Sequence, residues 1–287
     1  MTCAELGLEP DDRLTAAALE ALGISAVPVP WEEDAVSEVD AFIVRSPWNY
    51  HLQPHAFMAW IERASALAPV FNDPRTIRWN MHKAYLEELD AAGVRIVPTT
   101  IVRRDHPRDL AEIMREQTWH EVVVKPAISA SSYMTAIVGA TPHPALRSGD
   151  MQSRFMTNGQ AHLDAILETR DALVQPFMPE IFTRGERSLI FFDGEYSHCI
   201  QKNAFNTGPG AGAGVVADEA ERDMAVRALG VCEEVPLFAR VDLLRNAHGV
   251  EYLMELELLD PELYVRFDAG APHRFAEAIA RRLTSIP

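Results

Sequence analysis

The chain is predicted to have an α/β (α+β) fold with an N-terminal parallel sheet, a small central unit and a C-terminal antiparallel sheet. Helix and strand patterns alternate in the first third of the 287 residues, which is typical of a parallel sheet with helices on its faces. The last third contains apolar strands joined by tight turns, which is typical of antiparallel hairpins. Its length is enough for about two domains and a large core.

The composition is that of an acidic globular protein. Hydrophobic residues make up 48% of the chain and charged residues 24%, which argues against disorder. The net charge of −16 makes nucleic acid and anionic membranes unfavourable partners, so a phosphate-bearing ligand needs a local basic pocket and a metal ion. No apolar run approaches the ~20 residues of a membrane span and no signal-peptide pattern opens the chain, so a cytoplasmic protein is expected. Cys3, Cys199 and Cys232 form no CxxC pair, and reduced thiols are expected rather than a disulfide or zinc site.

The N-terminal unit is predicted to span residues 1–75. Its first helix is expected over residues 11–22, because acids open the segment and Gly23 follows its end. MTCAE resembles the end of a strand, so the native start is expected upstream of Met1. The other predicted elements are strands over residues 24–29 and 41–45 and a helix over residues 54–68.

The central unit is predicted to span residues 76–172. Its first helix is expected over residues 80–92, starting at Asn80 and ending before Gly93. Residues 139–160 are rich in Gly, Pro, Ser and Thr, and they are predicted to form a mobile lid. The remaining predicted elements are strands over residues 94–97 and 122–125 and a helix over residues 107–117.

The C-terminal unit is predicted to span residues 173–287 and to consist mostly of strands. Asp193-Gly194 is a strong hairpin turn between two apolar segments. The predicted elements are strands over residues 173–177, 187–192 and 195–201, a flexible loop over 206–214, a hairpin over 238–264 that turns at 246–249, and a helix over 273–283.

The hairpin over residues 238–264 carries acids where a plain hairpin would not. Because side chains alternate along a strand, Arg240 and Asp242 share one face, and Glu255 and Glu257 share the facing side of the return strand. Three carboxylates held this closely repel one another and lose solvation, which favours a hard divalent cation with oxygen ligands, Mg²⁺ or Mn²⁺. The alternative interpretation is a solvated face with ordinary surface charge.

Two lysines are candidates for binding phosphate. Lys125 ends the apolar strand VVVK and is followed by PAISASSY, whose small side chains let backbone N–H groups approach an anion. Lys83 lies near the start of a predicted helix. Each lysine is also consistent with an ordinary surface position.

The segment LVQPFMPEI, residues 173–181, contains two prolines and one acid, Glu180. Such a strand-to-loop segment can present backbone groups to an adenine edge, with the carboxylate at the ribose hydroxyls. An inter-domain hinge explains the same residues equally well. Glu186, Arg187 and Lys202 lie on the next predicted hairpin near the same pocket, and each is also consistent with surface charge.

Residues that follow the strand over 41–45 are candidates for binding the substrate, because open α/β sheets bind ligands at the carboxyl ends of their strands. Arg45 is suited to a carboxylate, and aromatic side chains can form the wall of a pocket. The alternative is a packed inter-domain loop, and His51 and His82 are assigned no catalytic role. The candidates are Arg45, Ser46, Trp48, Asn49 and Tyr50.

The order of these features resembles the ATP-grasp superfamily of ATP-dependent carboxylate–amine ligases over most of residues 75–265. A helical lysine, a lysine before a small-residue loop, a Gln-Pro hinge with an acid and an Arg/Asp/Glu/Glu hairpin occur in that order. In the family, two acids lie thirteen residues apart and an Asn follows two further on; Asp242 and Glu255 fit, and Glu257 stands where many members have Asn. The resemblance implies the ATP-grasp fold, with a Rossmann-like N-terminal domain, a small central lid domain and a C-terminal antiparallel domain.

The resemblance also implies roles for individual residues. Two Mg²⁺ ions, with Mn²⁺ as an alternative, are expected at Asp242, Glu255 and Glu257. Arg240 is expected beside the transferred phosphoryl group, and Lys202 under the base or near the phosphates. ATP is expected to be bound by Lys83, Lys125, Ser129, Ser131, Ser132, Gln175, Pro176, Phe177, Met178, Glu180 and Glu186.

The phrases VRSPWNYH, WNMHKAYL, VVKPAISAS, LVQPF and LMELELLDPELY resemble a bacterial branch of the superfamily that includes the ligase closing the ring of cycloserine. This implies a small amino-acid-like substrate activated as an acyl-phosphate, most specifically O-amino-D-serine converted to D-cycloserine. The alternatives are intermolecular amino acid or peptide ligation, a small-molecule kinase, and a nucleotide sensor without turnover. After Lys202 the chain departs from related sequences, since AFNTGPGAGAG replaces a segment with an arginine. A homodimer is expected from such relatives.

Overall fold

The computed structural model describes residues 8–33, 38–139, 155–156, 158–202 and 212–286. The helices of these residues are α1 (Pro10–Ala21), α2 (Pro54–Ser65), α3 (Pro74–Met81), α4 (Tyr85–Ala91), α5 (Leu110–Glu116), α6 (Gly159–Leu167), α7 (Glu219–Leu229) and α8 (Ala271–Thr284). The strands are β1 (Phe42–Ile43), β2 (Val70–Phe71), β3 (Thr100–Val102), β4 (Val122–Pro126), β5 (Ala136–Val138), β6 (Phe155–Met156), β7 (Ala172–Pro176), β8 (Glu186–Phe192), β9 (Glu195–Lys202), β10 (Gly212–Val215), β11 (Phe238–Arg245) and β12 (Glu251–Glu257).

The strands of the described residues form three sheets. β1 pairs with β2 in parallel, as the alternation of helices and strands predicts. The central sheet has the order β3-β7-β4-β5-β6 and the C-terminal sheet the order β10-β9-β8-β11-β12. Every pairing in the C-terminal sheet is antiparallel. No helix within the described part of the chain is long and apolar enough to cross a membrane.

The N-terminal unit confirms its predicted helices but not all of its strands. Predicted helices over residues 11–22 and 54–68 correspond to α1 and α2. The strand predicted over 24–29 is wrong, because this segment forms no ladder and is largely exposed before Val29. The strand predicted over 41–45 is limited to β1. The strand end predicted at MTCAE lies outside the described residues.

The helix predicted over residues 80–92 is two helices, α3 and α4. Asp73, not Asn80, caps the first of them, and its side chain accepts hydrogen bonds from two backbone N–H groups of the first turn. His82 then adopts an extended conformation (φ −103°, ψ 116°), and the backbone N–H of Lys83 donates to the carbonyl of Ala127 at 2.9 Å. This contact with the end of β4 replaces the helical continuation and brings Lys83 next to the small-residue loop.

The strand predicted over residues 94–97 is a single parallel bridge between Ile96 and Leu253 of β12. Leu253 donates to the carbonyl of Arg95 and accepts from the N–H of Val97, at 2.9 and 2.8 Å. These bonds attach the segment to the outer strand of the C-terminal sheet. The strand of the central sheet begins later, as β3.

The helices α6 and α7 are not anticipated by the predicted elements. Gly159 opens α6 in close contact with Val138 and Leu110, where a Cβ atom would lie only 2.5 Å from a methyl group of Val138. Asp218 and Glu221 form a reciprocal capping box at the start of α7. Of the predicted lid, residues 140–154 and 157 lie outside the described residues, as do residues 206–211 of the predicted loop. The last residues of that loop belong to β10.

The two faces of the C-terminal sheet pack differently. One face contributes Leu189, Phe191 and Val241 to a core shared with α4 and α7. On the other face, Phe192 and Phe238 pack against α8. This second face becomes polar toward Asp242, and that polar end contains the candidate site.

The described cysteines, Cys199 and Cys232, are free. Burial raises the pKa of Cys199 to about 12 and that of Cys232 to about 11, so both thiols are protonated at neutral pH. Cys3 lies outside the described residues.

Candidate active site

The hairpin of β11 and β12 brings one arginine and three acids together. Arg240 lies opposite Glu257, and Asp242 lies opposite Glu255. The pairing slips by one residue immediately after Asp242. Arg240 and Asp242 are only 7% and 3% exposed, so this is not an ordinary solvated face.

Asp242 is the centre of the cluster. Its carboxylate accepts two hydrogen bonds from Nε of Arg240 at 3.0 and 3.1 Å and one from Nη2 at 2.9 Å. Ser188 Oγ donates to it at 2.6 Å and Lys202 Nζ at 3.3 Å. Burial opposes ionisation, but the charges of Arg240 and Lys202 hold the pKa of Asp242 well below its usual range.

Lys202 joins Asp242 to a further buried acid, Glu186. Its ammonium contacts both carboxylates. Burial and the charge of Asp242 raise the pKa of Glu186 to about 7, against the opposing effect of Lys202. Burial opposes protonation of Lys202, yet the two carboxylates keep its pKa above the usual range. Lys202 therefore remains a cation at the polar end of the sheet.

Arg240 extends the cluster toward the segment that follows β12. It donates to Glu257 and, through Nη1, to the carbonyl of Glu262 at 3.2 Å. Its guanidinium lies 5.8 Å from the ring centre of Tyr264. Burial raises the pKa of Glu257 to about 8, even though the positive charge of Arg240 acts to lower it.

Lys125 reaches the cluster from the central sheet. Its Nζ atom donates to Oε1 of Glu255 at 2.6 Å. Burial opposes ionisation of Glu255, but Lys125 and Lys83 overcome it and lower its pKa to about 2. Lys125 is thus buried between the two sheets and is not a surface lysine.

Lys83 is tied to the small-residue loop after β4. Its Nζ atom donates to the carbonyl of Ser129 at 3.1 Å and lies 3.4 Å from Ser129 Oγ. Ser131 and Ser132 have left-handed backbones, with φ of 50° and 56°. Both are exposed, so their side chains face the solvent side of the loop. The loop and both predicted lysines therefore lie together.

Arg170 and Asp171, which sequence reasoning overlooked, hold this region together with His82, which was assigned no catalytic role. Ala84 N–H donates to His82 Nδ1 at 3.2 Å, so Nε2 carries the proton and donates to Asp171 at 3.3 Å. Arg170 Nη1 donates to the carbonyls of His51 and Ile128, at 3.0 and 3.3 Å. Arg170 thereby connects the small-residue loop with the loop of candidate substrate residues.

The side chains of two asparagines form hydrogen bonds with the backbone of the acidic hairpin. Asn80 donates to the carbonyl of Leu256 at 2.7 Å and accepts from the N–H of Leu258 at 2.8 Å. Asn72 donates to the carbonyls of Phe238 and Leu258, each at 2.9 Å. Asn80 thus fixes the backbone on both sides of Glu257, a role that no sequence signal indicates.

The predicted adenine segment lies at the end of β7. Gln175 is buried, and its side chain donates to Thr99 Oγ1 at 2.9 Å. The N–H of Phe177 donates to the carbonyl of Glu121 at 2.8 Å, and Pro176 and Met178 flank it. Glu180 accepts a hydrogen bond of 2.9 Å from the N–H of Ala247, in the turn of the acidic hairpin.

The candidate substrate residues occupy the boundary between the N-terminal unit and the segment after β12. Arg45 donates to Asp12 at 2.9 Å, with Ser46 beside the same carboxylate at 3.5 Å. Trp48 Nε1 donates to the carbonyl of Asp260 at 3.3 Å. Asn49 instead faces the N-terminal unit, where it accepts from Trp31 Nε1 at 2.8 Å.

Tyr50 is buried beside the acidic cluster. Burial, followed by the charges of Asp260, Glu257 and Glu255, raises its pKa well above the usual value. Burial also raises the pKa of Asp260 to about 6, opposed by Lys83 and Arg240. The hydroxyl of Tyr50 is therefore protonated and lies close to the acidic cluster.

The assembled site suits a polyanionic ligand with a metal ion. Its acids offer only oxygen donors, which are the ligands that Mg²⁺ prefers, so the chemistry of the donor set suits this ion. The cations converge on the same space and are suited to phosphate. They are Lys83, Lys125, Lys202 and Arg240.

Comparison with known proteins identifies the family. A family model described as D-cycloserine synthetase DcsG, N-terminal domain, matches residues 1–72. The cycloserine biosynthesis protein DcsG of Streptomyces lavendulae is 32% identical over 288 residues, covering 93% of this chain and 91% of that protein. The chain belongs to the DcsG family of ATP-grasp ligases.

Solved structures agree with this assignment. A crystal structure of D-cycloserine synthetase DcsG matches with a TM-score of 0.84 at 28% identity, covering 98% of both chains. D-alanine–D-alanine ligase from Bacillus anthracis complexed with ATP shares the fold, with a TM-score of 0.63 at 13% identity and coverage of 97% and 94%. The predicted ATP-grasp fold is confirmed. The DcsG-family protein described here is an ATP-dependent ligase that forms a C–N bond.

Proposed function

We propose that this ligase closes the ring of O-amino-D-serine to give D-cycloserine, as part of antibiotic biosynthesis. A substrate carboxylate oxygen attacks the γ-phosphorus of ATP, and the bond to the departing ADP breaks. The aminooxy nitrogen of the same molecule then attacks the acyl carbon, loses a proton and releases phosphate. The observation that carries this proposal is the similarity to DcsG, which extends over nearly the whole chain.

The phosphates are proposed to be bound by two buried lysines. Lys125 would leave Glu255 and bind phosphate, and Lys83 would act beside it from the small-residue loop. Ser129, Ser131 and Ser132 belong to that loop. Exchange of ionic partners keeps each buried charge compensated, which avoids the cost of an unpaired buried ion.

The metal ligands are proposed to be Asp242, Glu255 and Glu257, holding two Mg²⁺ ions for which Mn²⁺ can substitute. When bound, Mg²⁺ neutralises charge on the phosphates during transfer. Arg240 is buried next to these acids, so its guanidinium is held in place to stabilise the transferred phosphoryl group. Lys202 supplies a second fixed cation, and no strong general base is required of the protein.

The nucleoside is proposed to lie against the segment after β7. Gln175, Pro176, Phe177 and Met178 would line the adenine, and Glu180 would bind the ribose hydroxyls. Glu186 would complete the pocket from β8. Support comes from position, since β7 pairs with β4, the strand that carries Lys125, with Pro176 opposite Val122 and Leu173 opposite Lys125.

The substrate is proposed to bind beside Arg240, between the segment after β12 and the loop of Arg45, Ser46, Trp48, Asn49 and Tyr50. Arg45 and Trp48 contact the backbone of Pro261 and Asp260. This arrangement leaves the candidate loop next to the segment whose Glu262 carbonyl contacts Arg240.

The reaction is tested by incubating the protein with ATP, Mg²⁺ and O-amino-D-serine and analysing products by mass spectrometry. The expected products are ADP, phosphate and D-cycloserine, in equal amounts. A stable phosphorylated substrate would establish a kinase instead. A requirement for a second amino acid, with a dipeptide product, would establish intermolecular ligation.

The metal site is tested by the substitution Glu255→Gln. Loss of a buried anionic metal ligand is expected to reduce ADP formation by about 100-fold or more, on the scale of removing one transition-state contact. Glu233→Gln is a matched control, because Glu233 has a side chain that is 78% exposed. Wild-type turnover by the Glu255 variant would show that the proposed site is wrong.

A further inference from the structure

The segment that follows β12 is held by side chains from two sides of the candidate site. Three successive carbonyl groups each accept a hydrogen bond from a different side chain. Trp48 Nε1 donates to Asp260 at 3.3 Å, Arg45 Nη2 to Pro261 at 3.2 Å and Arg240 Nη1 to Glu262 at 3.2 Å. The segment thus joins the loop of candidate substrate residues to the acidic hairpin, and these bonds fix its backbone.

The side chain of Asp260 differs from the other acids of the site. Each of those acids forms an ion pair with a lysine or arginine; they are Asp242, Glu255, Glu257 and Glu186. The carboxylate of Asp260 makes no hydrogen bond or ion pair with any residue that the structure describes, although it is partly buried. A partly buried carboxylate without a partner costs free energy, so a bound ligand is expected to supply the partner.

The carboxylate of Asp260 lies among the groups that are proposed to bind phosphate, metal and substrate. Burial raises its pKa to about 6, against the opposing charges of Lys83 and Arg240. It is therefore ionised at neutral pH, and its pKa is close enough to neutrality for it to exchange a proton during turnover. The groups that are coupled to it electrostatically are Lys83, Arg240, Arg45, Glu255, Glu257 and Tyr50.

The proposed ring closure releases a proton that needs an acceptor. When the aminooxy nitrogen attacks the acyl carbon, the N–C bond forms and the bond from that carbon to the phosphate oxygen breaks. The electron pair of the broken bond leaves on phosphate. The nitrogen gains positive charge as it attacks and must lose one proton to give the neutral amide. A carboxylate is a sufficient base for a nitrogen that has become this acidic.

We propose that Asp260 is the catalytic base that accepts this proton from the aminooxy nitrogen. The proposed metal ligands Asp242, Glu255 and Glu257 are occupied by cations, whereas Asp260 is not paired within the described residues. This inference rests on the proposed function and adds a residue to its second step. The first step transfers a phosphoryl group to a carboxylate and moves no proton, so it should not need Asp260.

The test separates the two steps in the variant Asp260→Asn, which keeps the size of the side chain but cannot accept the proton. Rapid-quench experiments with ATP, Mg²⁺ and O-amino-D-serine follow ADP and D-cycloserine through the first turnover. Ring closure should slow by about 100-fold or more, the range of removing a general base, while ADP formation stays within about threefold of the wild type. Because water then consumes the acyl-phosphate, less than one D-cycloserine should form for each ADP. Asp105→Asn, with a side chain that is 80% exposed, is the matched control and should change neither step.

The variant Asp260→Ala tests the same role by chemical rescue, and it decides the matter if Asp260→Asn does not fold. Added formate can occupy the vacated space and accept the proton. It should accelerate ring closure by Asp260→Ala about tenfold or more and leave the wild type unchanged. A purely structural role predicts no such recovery, because a free carboxylate does not restore a displaced segment.

Equal slowing of ADP formation and ring closure would assign Asp260 to metal binding or to the framework and would overturn the inference. Ring closure at the wild-type rate in Asp260→Asn would overturn it as well, as would a slow Asp260→Ala that formate does not accelerate. If the wild type itself makes no D-cycloserine, the proposed function fails, and the base assigned to its amine fails with it. A wild type that makes D-cycloserine and variants that do so equally well refute only the inference.

Discussion

Lys125 donates a 2.6 Å hydrogen bond to Glu255, which joins the end of β4 in the central sheet to β12 in the C-terminal sheet. Lys202 pairs with Asp242 and Arg240 with Glu257 in the same way. Three of the four cations that we propose for phosphate, Lys125, Lys202 and Arg240, thus pair with an acid that we propose for metal. Nucleotide and ion are expected to bind together, because either one alone would leave buried charges uncompensated.

The pair of Lys125 and Glu255 is predicted to be energetically coupled. Lys125→Met and Glu255→Gln should each lower the free energy of unfolding by about 3 kcal/mol, because each leaves its partner as an unpaired buried charge. The double variant should lose clearly less than the sum. Urea unfolding followed by tryptophan fluorescence measures all four proteins, and strictly additive losses would contradict the coupling.

Asn80 is predicted to matter for both stability and turnover. Asn80→Ala removes two buried hydrogen bonds to the backbone around Glu257 and should cost about 2–4 kcal/mol. ADP formation should also fall, since the carboxylate of Glu257 loses its fixed position. Arg78→Ala, in the same helix with a 58% exposed side chain, is the control and should cost less than about 1 kcal/mol. A stable variant with normal turnover would refute the role of Asn80 as a support.

The convergence of acids could be predicted because it depends on local geometry. Alternation along a strand and a short turn suffice to place Asp242 opposite Glu255, and the structure has this register. The contribution of Asn80 could not be predicted in this way. Its partners lie 176 and 178 positions away in the chain, where no local pattern reports a contact.

The break between α3 and α4 likewise depends on contacts between residues that are far apart in the chain. The apolar spacing continues through residues 80–92, which favours one helix, but tertiary contacts of His82 and Lys83 outweigh that local preference. The strand predicted over residues 24–29 is wrong for the opposite reason, because contacts with a partner strand are missing among the described residues. Its apolar residues suit a strand, but most of the segment is exposed and has no neighbouring strand within the described residues.

Arg170 is predicted to position the small-residue loop. Arg170→Gln should raise the KM for ATP by about tenfold, because two hydrogen bonds to the carbonyls of His51 and Ile128 are weakened or lost. The kcat value should change less, since Arg170 does not touch the acidic cluster. Arg115→Gln, at an exposed position in α5, provides the control. An unchanged KM would show that the loop keeps its position without Arg170.

Glu180 is predicted to distinguish nucleotides by their ribose. If its carboxylate binds the sugar hydroxyls, the wild type should favour ATP over 2′,3′-dideoxy-ATP by about tenfold or more in kcat/KM. Glu180→Ala should use the two nucleotides equally well. Thermal unfolding of the variant reports separately on the lost hydrogen bond from Ala247. A variant that still prefers ATP would place the ribose elsewhere.

His198 is predicted to make stability depend on pH in the acid range. Burial lowers its pKa to about 4, against the opposing hydrogen bond to the carbonyl of Leu263. In the unfolded chain a histidine titrates near 6.5, so as pH falls from 6.5 toward 4 the unfolded state binds a proton that the folded state does not. The buried neutral imidazole of His198 therefore does not lower the free energy of unfolding above pH 6.5. By pH 5 the free energy of unfolding should be lower by about 2 kcal/mol.

The substitution His198→Gln isolates this effect from other acid-sensitive groups. The variant should be less stable than the wild type at pH 7, because it loses packing, and the difference should shrink by about 2 kcal/mol at pH 5. His106→Gln, with a side chain that is 84% exposed, should change stability equally at both pH values. Urea unfolding at pH 7 and pH 5 measures these differences. If the difference in free energy of unfolding between wild type and His198→Gln is the same at both pH values, the buried imidazole is not the source of the pH dependence.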